Sequence, residues 1–424
     1  MPNMPYDFTN CFRFDGWASP EHTVARPEAD DILAAVMNRQ RIFVDGPRRC
    51  GKTTLIINTL ESHDIPVLRL DLDGVETCEK LLERIARDTN GFLDKHPEVR
   101  TKLTEGKKTK AGAGANLFGF LSLNYETERD QPARPIGRSL DSLLSAVDEV
   151  ARAAGAVVFC DEFQAIKSHK MANPTEVLGS FAAISDPART RGSVPYVFAG
   201  SNRHAMHALF HGPESAFFQR TRNLQIGPIP EETIIPFLNS RIDAEVAPEV
   251  GREAYLWTDG IPGDLQRLYS ATQRVIGDRK IVTMADLEAA KTSIINDIGR
   301  SYTLTLQALR KDELEMLDVI ASRDIRNLSQ LRDHIEGKDI SVEDAQKTLF
   351  NLAKLGLINV PNRTFEIARP EPIMFRYLER YPAINHHPQN ALFGVSTGKQ
   401  KKSSTLSKRL TRTKTRSRSY SRDL

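Results

Sequence analysis

The sequence predicts an α/β protein in three parts: a parallel five-stranded sheet core, a helical lid, and a C-terminal winged-helix domain. Three observations carry this. Short apolar runs alternate with helix-period segments over residues 25–229, the pattern of strand–helix–strand units. From 230 to about 300 the apolar spacing is helical, interrupted by a turn at 257–264. From 301 to 382, three helix-period segments precede two short extended runs around a turn.

Residues 1–24 lack periodicity and read as an extended lead-in. A helix follows through Val36, with Pro27 suited to its first turn and Glu28, Asp30 and Asp31 complementing its N-terminal dipole. Residues 41–45 form a short apolar strand. The stretch Gly46-Pro47-Arg48-Arg49-Cys50-Gly51-Lys52-Thr53-Thr54 then opens an amphipathic helix. Its two glycines tolerate backbone angles closed to other residues, so the loop can turn its N–H groups inward. Those amides and the helix N-terminus make a nest for polyphosphate. Gly, four residues, then Gly-Lys-Thr between a strand and a helix is the full P-loop pattern. Lys52 supplies a charge for the outer phosphates, and Thr53 offers a hydroxyl to Mg²⁺.

A second strand is expected at 66–72, a helix at 76–96, a mobile loop at 101–115, an inserted strand or hairpin at 117–127, and a helix at 139–154. The next apolar run, Ala156 to Cys160, has the continuous character of a strand buried on both faces, and it ends in Asp161-Glu162. Placed after a complete P-loop, these acids read as the second half of the site. Asp161 would hold Mg²⁺ through water opposite Thr53. Glu162 would polarise the attacking water.

The run 194–199 is the next strand, tipped by Gly200-Ser201-Asn202. Strand ends line the ligand crevice of a parallel sheet, so Ser201 or Asn202 would bond the γ-phosphate or its water. Alternatively, Asn202 caps the helix that starts near Arg203. The stretch 217–226 closes the sheet with a short fifth strand after Arg220. Arg220 just before it would reach a neighbouring subunit's nucleotide, or form a surface ion pair.

Within the lid, 257–264 makes a rigid turn that sets Pro262 over the nucleotide base, with Arg267 facing phosphate or solvent. Beyond it, helices are expected at 304–322, 328–336 and 342–355, the last capped by Ser341 and stopped by Gly356. Strands at 357–360 and 364–367 complete the outline of a winged helix. Its third helix carries Glu343, Asp344, Gln346, Lys347, Asn351 and Lys354, too few cations for a groove-reading helix, which favours packing or a partner over direct DNA reading.

Residues 383–424 read as a disordered basic tail. From Ser396 to Leu424 there are ten Lys or Arg and one Asp, so this tail carries +9 of a whole-chain +3 and leaves the rest at −6. Such a tail either neutralises phosphates of nucleic acid or solubilises the chain. The 40% hydrophobic and 27% charged composition suits a soluble protein, and no apolar run approaches a membrane span. The N-terminus has no secretory pattern. Cys11, Cys50, Cys78 and Cys160 are scattered without a metal-binding pair, which points to the reducing cytoplasm.

With the P-loop, Asp161-Glu162-Phe163-Gln164, Gly200-Ser201-Asn202 and Gly260-Ile261-Pro262 in view, the chain resembles AAA+/STAND-type P-loop ATPases. The likeness is strongest to archaeal-type ATPases related to origin-recognition proteins, over about residues 20–380. Ala25-Arg26-Pro27-Glu28 is similar to the family's Gly-Arg-Glu box near the base, with alanine for glycine and an intervening proline. Gln219-Arg220 keeps the arginine of its Gly-Arg. The resemblance implies ATP and Mg²⁺ as ligands and a switch that couples nucleotide state to contacts with subunits, in a possible homo-oligomer, with partners or with nucleic acid. A winged-helix DNA-binding regulator that uses ATP only as a ligand is the alternative.

Overall fold

The computed structural model describes residues 22–105, 136–187, 194–212, 214–335, 341–359, 367, 369 and 371–386. The lead-in to residue 21, the loop from 106, the insert at 117–127, the hairpin at 360–366 and residues 387–424 of the expected tail lie outside the described residues. The first residues expected in that tail, Ala383–His386, instead form a 3₁₀ turn, because Ala383 is buried in the core.

In chain order the first half comprises α1 (Glu28–Met37), β1 (Ile42–Asp45), α2 (Lys52–Glu61), β2 (Val67–Asp71), α3 (Cys78–Lys95), α4 (Pro97–Glu105), α5 (Ile136–Ala154) and β3 (Val157–Asp161). A short 3₁₀ turn, Phe163–Lys167, leads to α6 (Pro174–Ile184), β4 (Tyr196–Ala199), α7 (Arg203–Phe210) and β5 (Arg222–Gln225). The five strands pair in parallel in the order β2-β3-β4-β1-β5. Alternate residues serve opposite layers. Val157 and Phe159 pack with α1 and α2, whereas Val158 and Cys160 pack with α3, α5 and α6. This double burial explains the unbroken apolar run before Asp161.

One expected loop is partly helical. Pro97 starts α4, and Val99 and Leu103, one turn apart, bury against the α3 and α5 layer. A lysine-rich composition concealed that pair.

The second half comprises α8 (Glu231–Asn239), β6 (Glu245–Val246), α9 (Pro248–Trp257), α10 (Pro262–Ile276), β7 (Ile281–Val282), α11 (Met284–Gln307), α12 (Lys311–Ser322), α13 (Leu328–Ile335), α14 (Val342–Lys354) and α15 (Pro372–Arg380). The expected division at 300/301 falls inside α11, a 24-residue helix with a Thr283/Asp286 capping box. No proline or polar break interrupts it there. Gly299 lets α11 approach α15, since a Cβ would lie 2.5 Å from the Tyr377 ring. Accordingly, a single apolar core runs from Ile229 to Ala383. Ser341 caps α14 by accepting from Asp344 N, and Gly356 at φ +76° follows it. Among the described residues no helix is long and apolar enough to cross a membrane.

Candidate nucleotide site

The loop between β1 and α2 takes the shape that its glycines allow. Gly51 adopts φ +86° at the N-cap of α2, and Arg49 is also left-handed at φ 63°. At Gly46 the constraint is space: a Cβ would lie 2.5 Å from the Ile226 carbonyl oxygen. Lys52 is buried and folds back on the loop, donating from Nζ to Gly46 O at 2.9 Å and Pro47 O at 2.8 Å. Arg26 braces the loop from outside, donating to Cys50 O at 3.0 Å and Gly227 O at 2.8 Å while pairing with Glu28.

The acidic tip of β3 meets this loop although β4 lies between β1 and β3. Thr53 Oγ1 donates to Asp161 Oδ2 at 2.9 Å. Burial raises the Asp161 carboxyl above its ordinary pKa, and Arg69 and the Thr53 hydroxyl oppose that rise. Glu162 sits at φ 51°. Its Oε2 accepts from Ser201 Oγ at 2.7 Å, Ser201 N at 3.3 Å and the Gln164 amide. Gly200 packs tightly beside them: a Cβ there would stand 2.0 Å from Gln164 Oε1, so that side chain would have to shift.

The C-terminal half closes the other side. Gly263 N donates to Arg49 O at 3.1 Å, and Arg49 pairs with buried Asp264 at 2.8 Å. Arg48 pairs with Glu371 at 2.7 Å. Between these parts lies a cavity of about 600 Å³, inside the roughly 300–1,000 Å³ range of small-molecule sites. The polar wall includes Lys52, Thr53, Thr54, Glu162 and Ser201, while Val24, Ile229, Ile234, Phe237 and Pro262 make an apolar slot suited to a planar base.

Sequence-level candidates separate into two groups. The cavity gathers Arg48, Arg49, Cys50, Gly51, Lys52, Thr53, Thr54, Glu162 and Pro262, with Asp161 reaching it through Thr53. Asn202 serves as the cap of α7, accepting from Ala205 N at 3.0 Å, and its amide donates to Lys354 O on α14 at 3.3 Å. Arg220 lies away from the cavity with a 65% exposed side chain, 4.0 Å from Asp186. On α10 Arg267 is half-buried, and burial together with the Arg49 charge lowers its pKa.

Several polar residues carried no sequence signal. Arg69 on β2 donates to Asp161 Oδ2 at 2.8 Å. At the end of β1, buried Asp45 accepts from Arg203 Nε at 2.7 Å and lies 2.9 Å from His207 Nε2. An arginine or histidine four residues apart on a helix is ordinary until strand order shows what it faces.

A threonine hydroxyl and one carboxylate suit a hard cation that keeps phosphate and water as its other ligands. Among the described residues no group of three His, Cys, Asp or Glu side chains is arranged to hold a metal unaided.

Residues 36–209 match the AAA domain family. In fold the chain is similar to the Walker-type ATPase of Pyrococcus abyssi, with a TM-score of 0.60 at 19% identity, over 87% of this chain and 99% of that one. It is also similar to the ORC2 protein of Aeropyrum pernix in its ADPNP–ADP complexes, with a TM-score of 0.53 at 16% identity, over 90% and 98% of the two chains. No curated protein matches it.

Proposed function

We propose that the chain, whose residues 36–209 match the AAA domain family, binds Mg·ATP and hydrolyses it as a molecular switch. The observation that carries this reading is the Thr53–Asp161 hydrogen bond of 2.9 Å, which brings the P-loop and the acidic strand tip to one cavity. Lys52 exchanges the Gly46 and Pro47 carbonyls for the outer phosphates. Thr53 and Asp161 would hold Mg²⁺, which would neutralise charge on the phosphate oxygens. Glu162 leaves Ser201 and Gln164 to orient and polarise the attacking water.

Transmission to the rest of the chain has two supports. Arg48 meets Glu371 at the start of α15, and Asn202 meets the end of α14. We read α8–α11 as a lid and the following helices as a winged-helix unit, both repositioned by nucleotide state. We read Arg220, largely exposed and 4.0 Å from Asp186, as reaching the nucleotide of a neighbouring copy in a homo-oligomer. Three buried free cysteines, Cys50, Cys78 and Cys160, suit a reducing cytoplasm.

Against direct DNA reading by α14 stand Glu343 and Asp344 in its first turn and the pairing of Lys347 with Glu343 at 3.0 Å. Nucleic-acid contact, on this reading, falls to the basic tail. Calorimetry with Mg·ATP and ATPase assays with and without DNA, alongside mass by light scattering, test the proposal. Native protein that binds no Mg·ATP overturns it.

A further inference from the structure

Arg69 has no part in the chemistry described above, yet it touches the oxygen that the metal would use. It stands on β2, with Leu68 and Leu70 buried in the opposite layer. Its Nη2 donates to Asp161 Oδ2 at 2.8 Å and lies 3.1 Å from Asp71 Oδ2. That same Asp161 oxygen accepts the Thr53 hydroxyl. Asp161 is only 4% exposed at its side chain, so water screens the pair poorly. The Arg69 Nε is buried without a hydrogen-bond partner, so what holds the guanidinium is its two acids.

We propose that Arg69 is a positioning residue that keeps the metal position electrically balanced until nucleotide arrives, so that the site takes Mg²⁺ with nucleotide and rejects the free ion. This rests on the nucleotide site proposed above. Without the guanidinium, Asp71 and Asp161 offer hard anionic oxygens beside the Thr53 hydroxyl, a donor set that attracts a divalent cation by itself. With it, an approaching cation meets a fixed like charge and an oxygen already engaged twice. The triphosphate reverses that balance by bringing its own negative charge.

The test measures Mn²⁺ binding to nucleotide-free, full-length protein from the paramagnetic signal of the unbound ion. The expected result is weak binding by the native chain and affinity at least about tenfold higher in Arg69→Gln. Arg69→Lys, which keeps the charge but lacks the planar fork, falls between them. Loss of a merely structural contact would lower metal affinity, not raise it. Melting curves establish folding, and the lysine variant carries the test if the glutamine variant does not fold. Folded variants that bind Mn²⁺ no more tightly than the native protein overturn the proposal. A parallel titration of native protein with Mg·ADP separates the two ideas. Absent nucleotide binding overturns the nucleotide site, whereas normal nucleotide binding with unchanged Mn²⁺ affinity overturns only the role of Arg69.

Discussion

The Thr53 hydroxyl donates to the Asp161 carboxylate at 2.9 Å, joining the first turn of α2 to the tip of β3 across 108 positions of sequence. The contact spans β4, because the strand order places β4 between β1 and β3. Two motifs distant in the chain thereby face one cavity, and their separate roles can be separated by substitution.

Lys52→Ala removes the cation proposed to reach the phosphates. Charge-assisted hydrogen bonds contribute about 1.5–3 kcal/mol, so Mg·ATP affinity should fall by about ten- to a hundredfold in calorimetry. Glu162→Gln retains the shape and loses the carboxylate proposed as base. It should keep Mg·ATP affinity while turnover falls by about 10²–10⁴. Native turnover in the glutamine variant would remove Glu162 from that role.

Gly200→Ala tests packing at the tip of β4. Its Cβ would meet Gln164 Oε1 at 2.0 Å and Met206 Sδ at 2.6 Å. Overpacking of this kind costs about 1–3 kcal/mol, readable as a lower urea midpoint. An unchanged midpoint would show that Gln164 can move aside freely.

Asp45→Asn probes the buried carboxylate at the end of β1. Burial raises its pKa, but the His207 and Arg203 hydrogen bonds outweigh burial and hold it below the ordinary carboxylate range. A depressed folded pKa means stability that is present above the unfolded value of about 3.9 and lost as pH falls through the folded value. The substitution should therefore cost about 1–3 kcal/mol near neutrality, and the gap between native and variant should close under acid. A gap that stays constant from neutral to acid pH would contradict the assignment.

Glu371→Gln breaks the pairing with Arg48, whose side chain is 60% exposed. Exposed ion pairs contribute up to about 1 kcal/mol, so global stability by denaturant titration should barely move. A loss above about 2 kcal/mol would mean that this contact anchors the second half of the chain rather than merely touching the loop.

The legible parts of the site were those written in contiguous residues. A P-loop is recognisable because one short loop must supply both the glycine conformations and the cation, and those needs appear side by side from Gly46 to Thr53. The run ending at Asp161 was readable because a strand covered on both faces is apolar at every position. Val99 and Leu103 were not, since two residues do not establish a period within a lysine-rich segment. Nor was the close packing of α11 on α15, where Gly299 fits against Tyr377 from a distant helix.

Composition and spacing by themselves determined a parallel α/β core, a P-loop motif and a pair of acids at the tip of a buried strand. Tertiary structure alone decided that Arg69 sits on Asp161, that Ser201 and Gln164 hold Glu162, and that Asn202 caps α7 while reaching α14. The reason is physical. Local conformational and burial preferences act on neighbouring residues and leave a mark in the sequence, whereas an ion pair or hydrogen bond between elements depends on strand order and facing, which only the folded chain sets.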